Sequence, residues 1–354
     1  MKCWRNLFPQ ITSFENLVLA FRTARRWKPL TIERADFEFH LEENLFRLQE
    51  ELVTGMYRPG PYRTFYVTEG VRRKISAAPF RDRVVHHALC RVIEPLFDRE
   101  FIFDSYACRT GKGTHRAADR CRQFVRRYPY VLQADIAKFF PSIDHAILEG
   151  LLAHWIRDER TMWLIGRILE SGVGILDSEY EMHWFPGDDL LARFRPRGLP
   201  IGNLTSQFFA NVYLHPLDMF VKHTLRIHPY IRYVDDLLLF GDDPAALHRL
   251  ARQIGEFLET LRVGLHPRKC RVFPVRMGVD FVGYVQFPSH RRIRRRSVLG
   301  MRRRLRDLSG AYRRGAIGAA RVRASVHSWL GHARHADARS LTAAILANAA
   351  FIRG

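Results

Sequence analysis

No apolar run in the 354-residue chain is long enough to span a bilayer, so no transmembrane helix is expected. The opening residues, MKCWRNLFPQ, lack the apolar core of a secretory leader. Cysteine is scarce: Cys3, Cys90, Cys108, Cys121 and Cys270 are odd in number and form no CxxC pair. That usage reads as reduced, structural thiols in a cytoplasmic protein. Acid is short as well. Against 57 Lys and Arg stand 36 Asp and Glu, which gives a formal net charge of +21 and a pI near 10.4. A deficit of that size implies a polyanionic partner, most simply nucleic acid, with a membrane surface as the competing reading. Hydrophobic residues make up 47% of the chain, enough for a globular body of two or three subdomains.

One stretch then organises the rest: HPYIRYVDDLLLFGDD at residues 228–243. Tyr230-Ile231 with Tyr233-Val234, and Leu237-Leu238-Leu239-Phe240, have the length and the β-branched or aromatic content of strands. They flank the acidic pair Asp235-Asp236, which predicts a hairpin with two carboxylates at its tip. Adjacent like charges repel, and burying them costs desolvation energy. A hard divalent cation, which takes oxygen ligands, relieves both costs. A solvated turn is the alternative for an isolated acidic pair, but this run is too apolar for an ordinary surface loop. A further carboxylate lies upstream in YVLQADIAKFFPSID, residues 130–144. Tyr130-Val131-Leu132 reads as a strand arriving at Asp135, and Ala137-Lys138-Phe139-Phe140 turns away before Pro141. A strand-end carboxylate with one or two more on a hairpin is what metal-dependent polymerase chemistry requires, an in-line displacement between two metal ions.

The residues around these carboxylates resemble the reverse transcriptases, which carry a DxxxxF/Y segment and a YxDD box. Asp135 with Phe140, and Tyr233-Val234-Asp235-Asp236, match both. The resemblance implies an α+β right-hand polymerase of fingers, palm and thumb, with an antiparallel palm sheet carrying the carboxylates and a helical thumb. It implies two Mg²⁺ ions, with Mn²⁺ as a substitute, held at Asp135, Ile136, Asp235 and Asp236. Phe140 becomes the steric gate against a ribose 2′-hydroxyl, with Phe139 beside it in the nucleotide site. Template RNA, a cDNA primer and deoxynucleoside triphosphates are the implied partners.

Residues 1–54 read as a helical N-terminal extension packed on the enzyme body. Phe14, Leu17, Val18 and Phe21 share one face, as do Phe37, Leu41, Leu45, Leu48 and Leu52, with Asp36 as cap and Gly55 as stop. Residues 55–289 are expected to hold fingers and palm. Residues 62–67, a Thr68-Glu69-Gly70 turn and residues 71–77 form a predicted hairpin with a basic return strand. Such a strand is commonly a solvated face; in the resemblance it lies in the fingers, where Arg72, Lys74 and Arg81 become candidates for the triphosphate. PFRDRVVHHALCRVIEPLF, residues 79–97, reads as a helix capped by Asp82 and resembles the DRVVQ-type helix of group II intron-like reverse transcriptases. His86-His87 read as packing residues in it. FIFDSYACRTGKG, residues 101–113, resembles the SYGFRPGRS stretch of the same group, with Ser105, Tyr106, Arg109 and Gly111 retained. A loop of small residues with Arg109 suits a sugar-phosphate backbone, and an ordinary turn between helices equally well.

A helical region from 147 to 170 precedes a weakly patterned loop or small hairpin at 171–197, whose Asp177, Glu179, Asp188 and Asp189 receive no catalytic role. IGNLTSQ at 201–207 follows. Most reverse transcriptases read QGxxxSP there, beneath the templating base and the incoming nucleotide, so Ile201 replaces Gln and Gln207 replaces Pro. That variant resembles the reverse transcriptases of diversity-generating retroelements, which copy a template RNA with errors at adenines. Gly202 and Gln207 join the nucleotide site, and Ile201 with Gln207 becomes the fidelity pair. Gln can brace the nascent pair by hydrogen bonding, whereas Ile offers only apolar surface; one lost contact is worth roughly 1–3 kcal/mol of discrimination. The alternative is that Ile201 packs and Gln207 caps a helix.

Asp242-Asp243-Pro244 should cap a helix whose Leu247, Leu250, Ile254, Phe257, Leu258 and Leu261 form a core stripe. In the loop after it, Lys269 is the candidate general acid for the leaving pyrophosphate. Asp280-Phe281-Val282-Gly283-Tyr284 resembles the primer-grip hairpin, with Gly283 and Tyr284 against primer or template. Residues 290–354 form the expected basic helical thumb. Its thin stripe is Leu299, Met301, Leu305 and Leu308, and Arg294, Arg295, Arg302 and Arg303 are set to meet phosphates. A calmodulin-target or membrane-surface helix is the generic competitor. His327, His332 and His335 suggest helix packing and RNA contact rather than metal, and no RNase H or endonuclease domain is expected. The resemblance also implies a small basic accessory variability determinant protein, oligomeric, as partner. Two other readings stay open: an intron, retron or defence-associated reverse transcriptase, and a polymerase-derived RNA-binding protein without chemistry.

Overall fold

The computed structural model describes residues 3–26, 30–68, 72–347 and 351–352; Glu69 and Gly70 of the expected turn, and Val71, lie outside them. Ser13 separates α1 (Phe8–Thr12) from α2 (Phe14–Ala24), and its hydroxyl accepts from the Asn16 N–H. α3 (Ile32–Phe39) and α4 (Leu41–Thr54) follow. The apolar stripe expected of one helix capped by Asp36 is divided between these two. Thr31, in an extended conformation, caps α3 by accepting from the Arg34 N–H, and the chain breaks at His40 (φ −105°, ψ 39°). Asp36 lies mid-helix, where the backbone N–H groups already have partners. Gly55 ends α4 at φ 77°, as expected. Leu17, Phe21, Phe37, Leu45, Leu48 and Leu52 are buried in the main core, so these helices pack on the body.

β1 (Arg63–Thr68) and β2 (Arg72–Ala77) pair antiparallel as a largely exposed hairpin. α5 (Phe80–Asp98) starts directly behind Pro79, so Asp82 falls in its first turn rather than at the cap. Its buried carboxylate instead accepts from the Tyr57 hydroxyl (2.8 Å) and the Gly60 N–H (2.7 Å), fastening the preceding segment. His86 is buried in α5. α6 (Thr114–Arg127) leads into β3 (Tyr130–Asp135), and α7 (Phe139–Ser142) turns away from it. The expected 147–170 helix is two, α8 (His145–Trp155) and α9 (Glu159–Glu170), capped by Asp144 and Asp158. Residues 171–203 carry two short 3₁₀ turns and no strand among the described residues. There the Asp188 carboxylate pairs with Arg195. α10 (Leu204–Tyr213) and α11 (His215–Met219) precede β4 (Tyr230–Tyr233) and β5 (Asp236–Gly241). α12 (Pro244–Thr260), capped by Asp243 as expected, and β6 (Arg271–Pro274) come next.

The central sheet is antiparallel in the order β4-β5-β3-β6. Leu132, Ala134, Leu237 and Leu239 face the main core, while Val131, Ile231, Leu238 and Phe240 face a second cluster with Cys121, Phe124 and Phe281. Both faces are covered, so Leu237 to Phe240 run continuously apolar instead of alternating. A small sheet of β7 (Val279–Phe281), β8 (Tyr284–Gln286) and β9 (Arg291–Ile293) lies beside it, and β9 pairs with β8 across the boundary expected at 289/290. α13 (Arg295–Arg313), α14 (Ala319–Ala333) and α15 (Arg339–Ala347) share a third cluster containing Met301, Leu305, Trp329 and Ile345. Leu299 of the predicted stripe is exposed, because α13 is buried only along the line of Met301 and Leu305. No helix among the described residues is long and apolar enough to cross a membrane.

Candidate active site

Strand register brings the carboxylates together. Asp135, at the end of β3, is paired with Asp236, the first residue of β5, and Asp235 precedes it in the β4–β5 turn. The turn requires φ 57° at Val234, a conformation that costs a β-branched residue energy. Arg232 holds it. Fully buried, it donates to the Asp218 carboxylate from Nε (2.8 Å) and Nη2 (2.6 Å), and from Nη1 to Asn211 Oδ1 (3.0 Å) and the Val234 carbonyl (3.1 Å). The Tyr230 hydroxyl donates to the same Asp218 carboxylate at 2.8 Å. From the other side, the Ile136 N–H donates to the Asp235 carbonyl at 3.2 Å. Arg232, Asp218 and Asn211 were not foreseen. The visible signal was an arginine inside the apolar run YIRYVDD, since a buried guanidinium requires a carboxylate; nothing in the chain said which.

Burial, then Asp236 and Asp135, push the Asp235 carboxyl up to about 7. Burial and Asp135 push Asp236 up to about 6, with Lys269 and Arg294 opposing. The cluster therefore favours added positive charge, and its all-oxygen donor set suits a hard divalent ion. Among the described residues no three carboxylate, imidazole or thiol side chains form a ready-made metal cage. Asp135 is instead ion-paired with Lys269, which stands 59% exposed at the site. Lys269 thus stands beside the carboxylate cluster, with its charge engaged by Asp135.

The other expected site residues divide. Phe139 is buried against Tyr213, which makes it core rather than part of a nucleotide site. Phe140 is half-buried beside it, and its carbonyl accepts from the Leu199 N–H (2.9 Å). The IGN segment is fastened to β2: the Ile201 carbonyl accepts from the Ser76 N–H (2.8 Å), and Asn203 donates to the Ser76 carbonyl (2.9 Å) and accepts from the Ala78 N–H (3.1 Å). Gly202 is required there, since at φ 121° an added Cβ would stand 2.9 Å from Ile75 Cγ2. Asn203, not Gln207, occupies the N-cap of α10. Gln207 is exposed, and with Gly202, Arg63, Phe65 and Arg83 it lines a cleft of about 1180 Å³.

Among the expected fingers cations, the Arg72 guanidinium lies 3.9 Å from the Tyr66 ring centroid, and Lys74 donates to the Ile175 carbonyl (2.7 Å) and Ser178 Oγ (3.2 Å). Arg81 is ion-paired to Glu51 of α4. Arg109 does not offer itself to a phosphate. Its side chain is 6% exposed, paired with Asp98 and donating to the Ile102 and Ser105 carbonyls, so it folds its own loop. Gly283, at φ 91°, forms the β7–β8 turn with Val282 at φ 44°. Tyr284 is fully buried, its hydroxyl among His115 and His332, so its ring does not reach solvent. Arg294 pairs with Asp280, whereas Arg295, Arg302 and Arg303 are exposed on α13.

Comparison with known proteins agrees with this arrangement. The sequence model described as reverse transcriptase (RNA-dependent DNA polymerase) matches residues 63–286, from β1 through β8. Protein YkfC of Escherichia coli (strain K12) is 24% identical over 76% of this chain and 76% of its own length. Group II intron-encoded protein LtrA of Lactococcus lactis subsp. cremoris is 26% identical over 51% of this chain, which covers 28% of LtrA. An uncharacterized 91 kDa protein in the cob intron of Schizosaccharomyces pombe is 28% identical over 47% of this chain and 19% of that protein. With a family match over more than half its length and three aspartates at one end of the central strands β3 and β5, the chain belongs to the reverse transcriptases, the RNA-directed DNA polymerases.

Proposed function

We propose that this reverse transcriptase serves a diversity-generating retroelement, copying template RNA into cDNA with errors directed at adenines. The observation that carries the reading is Ile201 in IGNLTSQ, where most relatives place Gln, together with its backbone bond to Ser76 of the basic hairpin. In this reading the central sheet is the palm, the β1–β2 hairpin belongs to the fingers, the β7–β8 turn is the primer grip and α13 to α15 form the thumb. Reverse transcriptases bind template RNA and nucleotides and generally use divalent metals such as Mg²⁺. Asp135, Asp235 and Asp236, beside Ile136, would hold two Mg²⁺ or Mn²⁺ ions, which when bound supply charge stabilisation for the attacking 3′-hydroxyl and the departing pyrophosphate. Lys269 leaves Asp135 and gives the pyrophosphate its proton. Phe140 closes the space a 2′-hydroxyl would need. Exposed Arg295, Arg302 and Arg303 meet backbone phosphates. A small basic accessory protein completes the assembly.

Ile201→Gln tests the reading. One restored contact of ~1–2 kcal/mol should lower misincorporation opposite template adenine about ten-fold, and opposite other bases less. The readout is the ratio of adenine to non-adenine errors on one heteropolymeric RNA, with the accessory protein present; a ratio at the parental value while synthesis continues removes Ile201 from the adenine bias. A second reading, an intron-type reverse transcriptase without directed errors, is favoured by the similarity to LtrA. A locus carrying an imperfect repeat pair that differs only at template adenines would decide against it.

A further inference from the structure

The C-terminal helices meet the rest of the chain through a polar joint that includes none of the three aspartates of the carboxylate cluster. At its centre is Arg291, the first residue of β9, with a side chain 3% exposed. Its guanidinium ties together three elements: Nε donates to Gln286 Oε1 in β8 (3.0 Å), Nη2 to Asp119 Oδ1 in α6 (2.8 Å) and Nη1 to the His335 carbonyl just past α14 (2.8 Å). The backbone adds a reciprocal pair, from the Arg291 N–H to Asp337 Oδ2 and from the Asp337 N–H to the Arg291 carbonyl, both 2.8 Å.

Beside it, the Tyr284 hydroxyl lies 3.2 Å from His115 Nδ1 in α6 and 2.9 Å from both His332 Nδ1 and the His332 carbonyl in α14. A hydroxyl has one proton to give, so an imidazole N–H must supply at least one of these bonds. The His332 ring stacks on Tyr284 with centroids 4.5 Å apart, and His335 stacks on His115 at 3.6 Å. The joint reaches the β7–β8 turn itself: a Cβ on Gly283 would stand 3.3 Å from His332 Cε1, and the Gly283 carbonyl accepts from the Arg294 N–H at 3.1 Å.

Apolar packing alone tolerates sliding, whereas a buried fork bonded to three elements fixes an angle. The cohesion of α13 to α15 is already supplied by their own apolar cluster. We propose that Arg291, with His115, Tyr284 and His332, forms a positioning joint that sets the angle between the C-terminal helices and the Gly283 turn, and thereby seats the primer terminus of a template–primer duplex. This rests on reading those helices as a thumb and that turn as a primer grip.

The test uses the full-length protein with Arg291→Met, Arg291→Lys and His332→Phe, the last keeping the ring stack while losing Nδ1. RNA–DNA template–primer affinity, product length per binding event in the presence of a trap, and the single-nucleotide extension rate at saturating duplex are measured for each. Arg291→Met and His332→Phe should weaken duplex binding about ten-fold and shorten products, with the saturating rate within about two-fold of the parent. The first removes a hydrogen-bonded buried charge and the second a hydrogen-bonding imidazole from the joint, and neither is part of the carboxylate cluster. Arg291→Lys, which keeps the charge near Asp119 but not the fork, should fall between. Parental affinity and product length in His332→Phe and Arg291→Met overturn the joint. So does an equal fall in rate and affinity that follows lost thermal stability, which makes Arg291 a general folding residue. A parallel variant, Arg302→Gln with Arg303→Gln, separates the two levels. If it weakens binding while the joint variants do not, the joint alone fails; if it too binds as the parent does, the thumb reading fails.

Discussion

At the scale of single residues, the titratable side chains differ in how openly they declare their role. Asp235 stands out in the sequence because an acidic pair inside an apolar run is costly to bury unless a cation joins it, and in the fold it is buried with its carboxyl pushed up to about 7. Asp235→Asn keeps the shape and removes a metal-binding charge, so primer extension with Mg²⁺ should fall by orders of magnitude, on the order of 10³-fold or more; extension at the parental rate would refute the metal role. His86 makes the opposite case, a titratable group used for packing. Burial lowers its pKa to about 3 from the ordinary 6.5, and its Nδ1 has no hydrogen-bond partner. Because the folded value is depressed, neutral His86 costs nothing above pH 6.5, and stability is lost as the pH falls from 6.5 towards 3. Asp235 and Asp236, raised to about 7 and 6, act in the opposite sense over part of that range. The difference between parent and His86→Gln therefore isolates the histidine. Urea denaturation at pH 7 and pH 5 should show the variant gaining on the parent by up to ~1.4 kcal/mol per pH unit below 6.5. A constant difference would mean that His86 is not held neutral.

At the scale of elements, the β4–β5 hairpin was readable from its period and its acidic tip, but what holds its turn was not. Val234 keeps a left-handed backbone because Arg232 grips its carbonyl and is itself held by Asp218, 14 residues earlier in the chain. Removing one member of such a pair strands a buried charge. Arg232→Met should cost roughly 3–5 kcal/mol in chemical denaturation, and adding Asp218→Leu should recover much of it. Extension should remain depressed in the double variant, because the turn carrying Asp235 has lost its anchor. Full activity in a restored double variant would show that packing alone keeps the turn. The two helix caps assigned to Asp36 and Asp82 fail for a related reason. An aspartate near a helix start serves as cap, first-turn acid or tertiary acceptor, and only the position of Thr31 in one case, and of Tyr57 and Gly60 in the other, decides among them.

At the scale of the whole molecule, the charge of +21 sets how strongly a polyanion is drawn, and the fold sets which cations can meet it. Arg295, Arg302 and Arg303 are exposed on α13, while Arg294 is committed to Asp280 and Arg109 to Asp98. If the three exposed arginines each neutralise a phosphate, replacing them with Gln should flatten the slope of log affinity against log salt by roughly 2–3. Arg294→Gln should leave that slope nearly unchanged; a loss as large as that of its neighbours would place it on the phosphates too. The family chemistry, the strand and helix periods and the basic character are readable along the chain, because these are local: spacing, composition and two short acidic motifs. Which carboxylates face each other, which arginines are exposed and which are locked, and how the C-terminal helices are fastened to the Gly283 turn emerged with the fold. Those are matters of partners far apart in the chain, and a buried charge is defined by its partner, which no local pattern names.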